Sequence, residues 1–301
     1  MILVDTHCHI HRWGNGEVAA SPAYTKRGNN VRNPTRMASG GNDFDNSTAD
    51  QYIHPLYCLM AVEEADWSGL LAISGRDRKE KKPLLQDVSQ DTKEVVAVGL
   101  GIHPWKTQSV KSGWEGRLKE ALERDPTLIV GEIGLDKAGE SGKKSWEEQR
   151  KIFELQMKLA AELRRPVSVH CVRAYGIVYE WLKGRSAAEL PPSVAFHSYT
   201  GSLDMAGAFL RLEHLQGSVF FGFSAAVCLR YPAAEAKLRQ VLPILPKESL
   251  LLESDLDDRE AVPGAMNTIC DVVAEVKGME RNVLAEVTTK NAERFLRRAL
   301  R

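Results

Sequence analysis

Eight short apolar runs, each followed by a segment of helical character, predict a (β/α)8 barrel of the TIM class. Two further observations point the same way. Ionisable side chains gather at the ends of those runs, and 301 residues suit one barrel, which typically takes about 250. The chain is therefore expected to be one domain over 1–301, with an irregular insertion at about 14–50.

In order, the runs are residues 2–4, 70–73, 95–100, 128–130, 167–169, 194–196, 219–221 and 250–252. Continuous apolar runs of this length suit parallel strands buried on both faces. The clearest helix between them is 145–163, where Ile152, Leu155, Gln156, Leu159 and Leu163 recur at helical spacing. Glu147 and Glu148 make its first turn acidic, and Arg164-Arg165 before Pro166 its end basic, which complements the helix dipole. The last stretch, 280–301, reads as a terminal helix pair with Val287, Asn291 and Phe295 on one face. Strand count alone leaves a doubly wound sheet open. The Gly-, Asn- and Ser-rich segment at 14–50 has no periodicity; it reads either as a disordered surface insertion or as a substrate loop carrying Lys26, Arg27, Arg32 and Arg36.

Composition narrows the function. With 43% hydrophobic and 27% charged residues, a large core can be buried. Lys+Arg and Asp+Glu are both 40, so no global charge marks a nucleic-acid or membrane binder. Five scattered cysteines without a CxxC pair argue against a disulfide framework or a zinc ribbon. No run is long enough for a membrane span, and the N-terminus shows no signal-peptide pattern. A cytoplasmic location, with a nuclear one also open, is the expectation.

The chemistry is positional. His7 and His9 follow the first run, His103 the third, Glu132 the fourth, His170 the fifth, His197 the sixth and Asp255 the eighth. Parallel barrel strands end at one rim, where barrel enzymes place their sites. His7 and His9 stand at i and i+2, so both imidazoles reach one side of a strand. Glu132, emerging from an apolar strand between Gly131 and Gly134, is costly to bury unless paired or metal-bound, and its two oxygens can bridge two ions. His170 and His197 suit a second ion. Asp255 is the candidate ligand that also accepts a proton from attacking water, while Glu253 faces the other side of its strand. His103 reads as facing substrate or supporting a ligand, and Arg173 as a phosphate contact. Lys137 is either a phosphate contact or a solvated charge. Cys8 and Cys171 point away by strand alternation. Two divalent ions and two carboxylates leave the cage with a charge of roughly +2, which favours an anion such as a phosphate ester. Zinc, manganese or magnesium are all open, with imidazoles favouring the first two.

These pieces, in order, resemble the TatD-like metal-dependent hydrolases. The matching stretches are Asp5-Thr6-His7-Cys8-His9, Gly101-Ile102-His103-Pro104 and Gly131-Glu132-Ile133-Gly134-Leu135-Asp136. Gln149 with Phe153 and Gln156, then Val169-His170 with Arg173 and Ala174, follow. His197-Ser198-Tyr199-Thr200-Gly201-Ser202, Glu253-Ser254-Asp255 and Asn291 with Phe295 complete the set. The resemblance implies an amidohydrolase-like barrel, two divalent metals on His7, His9, Glu132, His170, His197 and Asp255, and hydrolysis of DNA ends. The long 14–50 segment and Leu256-Asp257-Asp258-Arg259 depart from the family pattern. Both look like a fungal branch described as binding a subunit of the cell-cycle ubiquitin ligase, which implies a protein partner. Two alternatives stay open: hydrolysis of a small amide or lactone by the same cage, and a metal-bound scaffold with little catalysis.

Overall fold

A computed structural model describes residues 2–10, 54–74 and 95–297. The segment at 14–50 and its four cationic residues lie outside them. Eight strands, β1 (Ile2–Cys8), β2 (His54–Met60), β3 (Val95–Leu100), β4 (Ile129–Asp136), β5 (Val167–Val172), β6 (Val194–Phe196), β7 (Val219–Ser224) and β8 (Leu250–Glu253), form one sheet in sequence order. All seven ladders from β1 to β8 are parallel.

The helices are α1 (Glu64–Ser74), α2 (Trp114–Arg124), α3 (Gly139–Lys144), α4 (Trp146–Glu162) and α5 (Tyr175–Lys183). They continue as α6 (Leu203–Leu210), α7 (Ala225–Cys228), α8 (Pro232–Val241), α9 (Val262–Lys277) and α10 (Arg281–Leu296). Strand followed by helix, around a sheet that returns to its first strand, is the expected TIM-barrel architecture.

Three expectations need correction. Residues 70–73 lie in α1, and the second strand is His54–Met60. Helix α1 starts where Asp66 accepts the backbone N–H of Val62 (2.8 Å) and Glu63 (3.1 Å), so orphan donors at its N-terminus are satisfied. In α4 the buried face is Gln149, Ile152, Phe153, Gln156, Met157 and Ala160, while Leu155 and Leu159 are only half-buried. Arg164 and Arg165 fall beyond its end and instead donate to the carbonyls of Leu190, Pro126 and Leu122. Finally, the terminal segment is one described helix, α10, packed beside α9.

The seam between β8 and β1 is stitched at its upper end. Asp255 N–H donates to His7 O (3.0 Å) and His9 N–H to Leu256 O (2.8 Å). The Asp5 carboxylate accepts the backbone N–H of Ser254 at 2.9 Å. The barrel interior holds a small apolar cluster from every second strand position: Val4, Met60, Ala97, Ile129, Phe220 and Leu251, joined by Phe295 and Leu296 of α10. Helix α10 closes the opposite mouth. Asn291 Nδ2 donates to Lys247 O and Leu250 O (2.7 and 2.8 Å), and Ser193 Oγ to Phe295 O (2.6 Å), all at strand beginnings. With that end plugged by packed side chains, the strand C-termini are left for polar residues. Among the described residues, no helix is long and apolar enough to cross a membrane.

Candidate metal centre

Glu132 sits in the middle of β4, where all eight residues are buried. Its two carboxylate oxygens face different partners. Oε2 lies 3.3 Å from His7 Nε2 and 3.4 Å from His9 Nε2. Oε1 lies 3.2 Å from His103 Nε2, 3.0 Å from His170 Nδ1 and 2.8 Å from His197 Nε2. Five imidazoles from four strands therefore meet one carboxylate. The six residues expected as ligands come together, and His103 joins them.

Asp255 completes the rim. Its Oδ1 is 3.8 Å from His9 Nε2 and its Oδ2 4.0 Å from His197 Nδ1, and Ser198 Oγ donates to Oδ2 at 3.1 Å. Asp255 (φ 57°) and Ser198 (φ 41°) both occupy the left-handed region, a conformation that costs non-glycine residues energy and recurs at functional sites. His7 and His197 stack at 4.0 Å between ring centroids.

Contacts on the far side of each ring set its tautomer. His9 Nδ1 is 2.8 Å from the Met60 carbonyl, an acceptor only, so Nδ1 carries a proton and Nε2, which faces Glu132, is the nitrogen a cation would take. His7 Nδ1 pairs with Ser168 Oγ at 2.9 Å, and its buried Nε2 has no hydrogen-bond partner. His103 is the reverse case. Its Nδ1 accepts the Trp105 backbone N–H at 3.1 Å, capping the short 3-10 turn Pro104–Ser109, so its Nε2 is the N–H donor to Glu132.

Electrostatics follow from burial and from Glu132. Burial holds His7 well below its ordinary pKa, and His103 falls to about 4 for the same reason. Burial disfavours charge on His9 and His170 too, yet the carboxylate contacts outweigh it: Glu132 raises His9 to about 9, and Asp136 with Glu132 raises His170 to about 9. Burial works against ionisation of Glu132, but the surrounding imidazoles keep it well below the usual range. Burial lifts the pKa of Asp255, making it a better proton acceptor.

The donor set fits divalent cations. Imidazole nitrogens and carboxylate oxygens of His7, His197 and Asp255, of His7, His9 and Glu132, and of His103, Glu132 and His170 each lie within 4.8 Å of one another. The buried His7 Nε2, 3.3 Å from Glu132 Oε2 but without a well-aligned hydrogen bond, is placed as a ligand nitrogen would be. Loading must displace the protons of His9 and His170. Ion uptake is therefore expected to release protons at pH 7, and apparent affinity to rise with pH up to about 9. Calorimetry in buffers of different ionisation enthalpy counts those protons; an uptake that releases none contradicts the assignment.

Gln149, Gln156, Asp136 and Glu253 support the cage. Gln149 and Gln156 reach from α4 with both ends of their amides. Gln149 Oε1 accepts Asp136 N–H (2.8 Å) and its Nε2 donates to Asp136 O (3.1 Å). Gln156 does the same at Ile102, at 2.7 and 3.2 Å. Each clamps the backbone beside a cage residue. Asp136 Oδ2 accepts Trp105 Nε1–H at 2.7 Å and lies 3.4 Å from His170 Nε2. Its signal was the alternation of 132, 134 and 136 along one strand. Glu253 accepts the Ser198 backbone N–H and lies 3.5 Å from Thr6 Oγ1, so it braces two neighbours of the cage.

The remaining candidates lie outside the cluster. Arg173 is exposed, in a left-handed turn (φ 56°) just past β5. Lys137 Nζ sits 4.9 Å from the Trp146 ring centroid. Cys8 and Cys171 are buried with thiol pKa pushed up by burial, so neither is a nucleophile.

The chain is similar to several known proteins. Over 220 residues the chain is 27% identical to the Cut9-interacting protein scn1 of Schizosaccharomyces pombe, covering 58% of this chain and 64% of that protein. It is 34% identical over 161 residues to the uncharacterized metal-dependent hydrolase YjjV of Escherichia coli, covering 53% of this chain and 57% of YjjV. The match thus spans less than two thirds of either relative. It is 29% identical over 254 residues to the 3'-5' ssDNA/RNA exonuclease TatD of Erwinia tasmaniensis, covering 79% of this chain and 91% of that one. The crystal structure of E. coli YjjV superposes with a TM-score of 0.63 at 26% identity, covering 79% of this chain and 85% of YjjV. A Saccharomyces cerevisiae amidohydrolase structure, at 18% identity and a TM-score of 0.56, shares the fold. The family model for TatD related DNase matches residues 4–297, and the chain belongs to that family of metal-dependent hydrolases.

Proposed function

We propose that this chain hydrolyses phosphodiester bonds at the ends of nucleic acid, using two divalent ions, zinc, manganese or magnesium, held by His7, His9, Glu132, His170, His197 and Asp255. The observation that carries the reading is the Glu132 carboxylate, with Oε2 toward His7 and His9 and Oε1 toward His170 and His197. A single carboxylate between two sets of imidazoles is built to bridge two cations. Such ions, when bound, supply Lewis acidity: they make water a stronger acid and offset charge on a phosphate.

The chain's own groups do the rest. Asp255 takes the proton of the attacking water at Oδ1, since Ser198 holds Oδ2. His103, kept neutral with its proton on Nε2, donates that proton to Glu132 Oε1 in a hydrogen bond and so orients the carboxylate beside the entering phosphate. Arg173, exposed on the same rim, neutralises the next phosphate along the strand. The TatD exonuclease relatives support the substrate class. The fission-yeast relative, named for its interaction with Cut9, favours a protein partner beside this activity.

The test is a substrate panel of end-labelled single-stranded DNA and RNA, a cyclic amide and a phosphate monoester, with and without chelator. Stepwise shortening of the oligonucleotides, lost on chelation and restored by one of the three metals, is the expected result. Turnover of the cyclic amide alone would replace this reading with a small-molecule hydrolase.

A further inference from the structure

Trp105 is a large aromatic at the lip of the cage with 47% of its surface exposed. Burial of an indole is strongly favourable, so one held open beside a polar site needs a reason. It is not loose. Its indole N–H is anchored to Asp136 Oδ2 at 2.7 Å and its backbone N–H to His103 Nδ1 at 3.1 Å. Its ring centroid lies 4.6 Å from that of His103 and 5.9 Å from that of His170, at interplanar angles of 74° and 70°. Pro104 before it fixes the turn. The ring is therefore oriented by the same groups that surround Glu132, with about half of the residue left to solvent.

We infer that Trp105 is a stacking platform for a nucleobase of single-stranded nucleic acid, seating the base of the nucleotide whose phosphate enters the cage. The inference rests on the phosphodiesterase reading and extends it. Phosphate contacts and metal ligands cannot tell a single strand from a duplex, whereas a base can lie on an indole only when unstacked from its neighbours. The stack is tolerant of base identity because every base has a π face.

Single-stranded oligonucleotides with ordinary nucleotides at both ends, and matched ones with tetrahydrofuran abasic residues there, are compared with metal-loaded protein. Wild type should show a KM lower by on the order of tenfold for base-bearing ends. Trp105→Ala should bring that ratio close to one, and Trp105→Phe should restore most of it. A ratio kept in Trp105→Ala, or absent in wild type, overturns the platform. So does a fall in kcat on both substrates with the ratio unchanged, which would mean that the indole only holds Asp136 and His170 in place. Binding of the same labelled strands by fluorescence anisotropy separates the two layers. A base-dependent affinity that needs Trp105, without cleavage, leaves the platform standing and removes the nuclease reading. Cleavage with no base dependence does the opposite, and no binding at all removes both.

Discussion

Glu132→Gln should abolish turnover, by a factor of at least about 10³, and metal content should fall with it. The substitution keeps volume and shape but removes the one charge shared by both sides of the cage. An amide has one acceptor oxygen, so it cannot present a lone pair to His7 and His9 on one side and to His103, His170 and His197 on the other. The variant also makes a pH-resolved statement about the ion-free protein. His9 and His170 have folded pKa values of about 9, above their ordinary 6.5. Their contribution is fully present below about 6.5 and is lost as pH rises through about 9. Glu132, depressed below 4.5, contributes above that value and loses its effect as pH falls through its folded value. Wild type should therefore exceed Glu132→Gln in ion-free melting most clearly between roughly pH 4.5 and 6.5, by on the order of 3 kcal/mol, with the gap closing towards pH 9. Metal analysis with thermal melts across pH checks both halves. A variant that binds two ions per chain, or a gap that widens with pH, would refute the role given to Glu132.

The barrel was legible because its strands are apolar on both faces, and the site because ligand-type residues terminate them. What escaped reading has physical causes. A four-residue apolar run such as 70–73 carries no periodicity that separates strand from buried helix turn. The stronger signal was the acidic 63–66 start of α1, with Asp66 as its cap. The true second strand, His54–Met60, begins His54-Pro55 and then runs through Leu56-Tyr57-Cys58-Leu59-Met60-Ala61-Val62, a continuous apolar stretch longer than 70–73 and the better strand signal of the two. The basic pair 164–165 looked like a dipole complement, yet Arg164 takes a left-handed turn (φ 54°) and both side chains go to neighbouring carbonyls. Asp136 closes one of the motifs and Trp105 follows another, but their pairing depends on two segments meeting across a barrel rim, which no linear spacing reveals. His103 was readable as a cage neighbour, while its tautomer needed the Trp105 N–H.

Gly134→Ala should cost most of the activity, on the order of 10²-fold or more, although it replaces no ligand. Gly134 pairs with His170 in the β4–β5 ladder. A Cβ there would run into the His170 carbonyl oxygen and come within 2.9 Å of its Cβ. The obstacle is backbone, not the tip of a flexible side chain, so the strands themselves must part. The backbone angle at Gly134, φ 158°, also lies at the edge of what a side chain tolerates. Parting β4 from β5 at this level moves His170 away from Glu132 Oε1 and Asp136 Oδ2, now 3.0 and 3.4 Å from its ring nitrogens. Glu132, two residues back on the same strand, shifts with it. The damage is local, because the apolar layer below and the α10 plug are untouched, so the far-ultraviolet signature of the barrel should persist. The informative measurement is the two-site metal titration. One ion class, on the His170 side of Glu132, should weaken far more than the class beside His7 and His9. Equal weakening of both would mean that the glycine serves the strand rather than the histidine, and an active Gly134→Ala enzyme would show that β4 and β5 have slack the packing does not suggest.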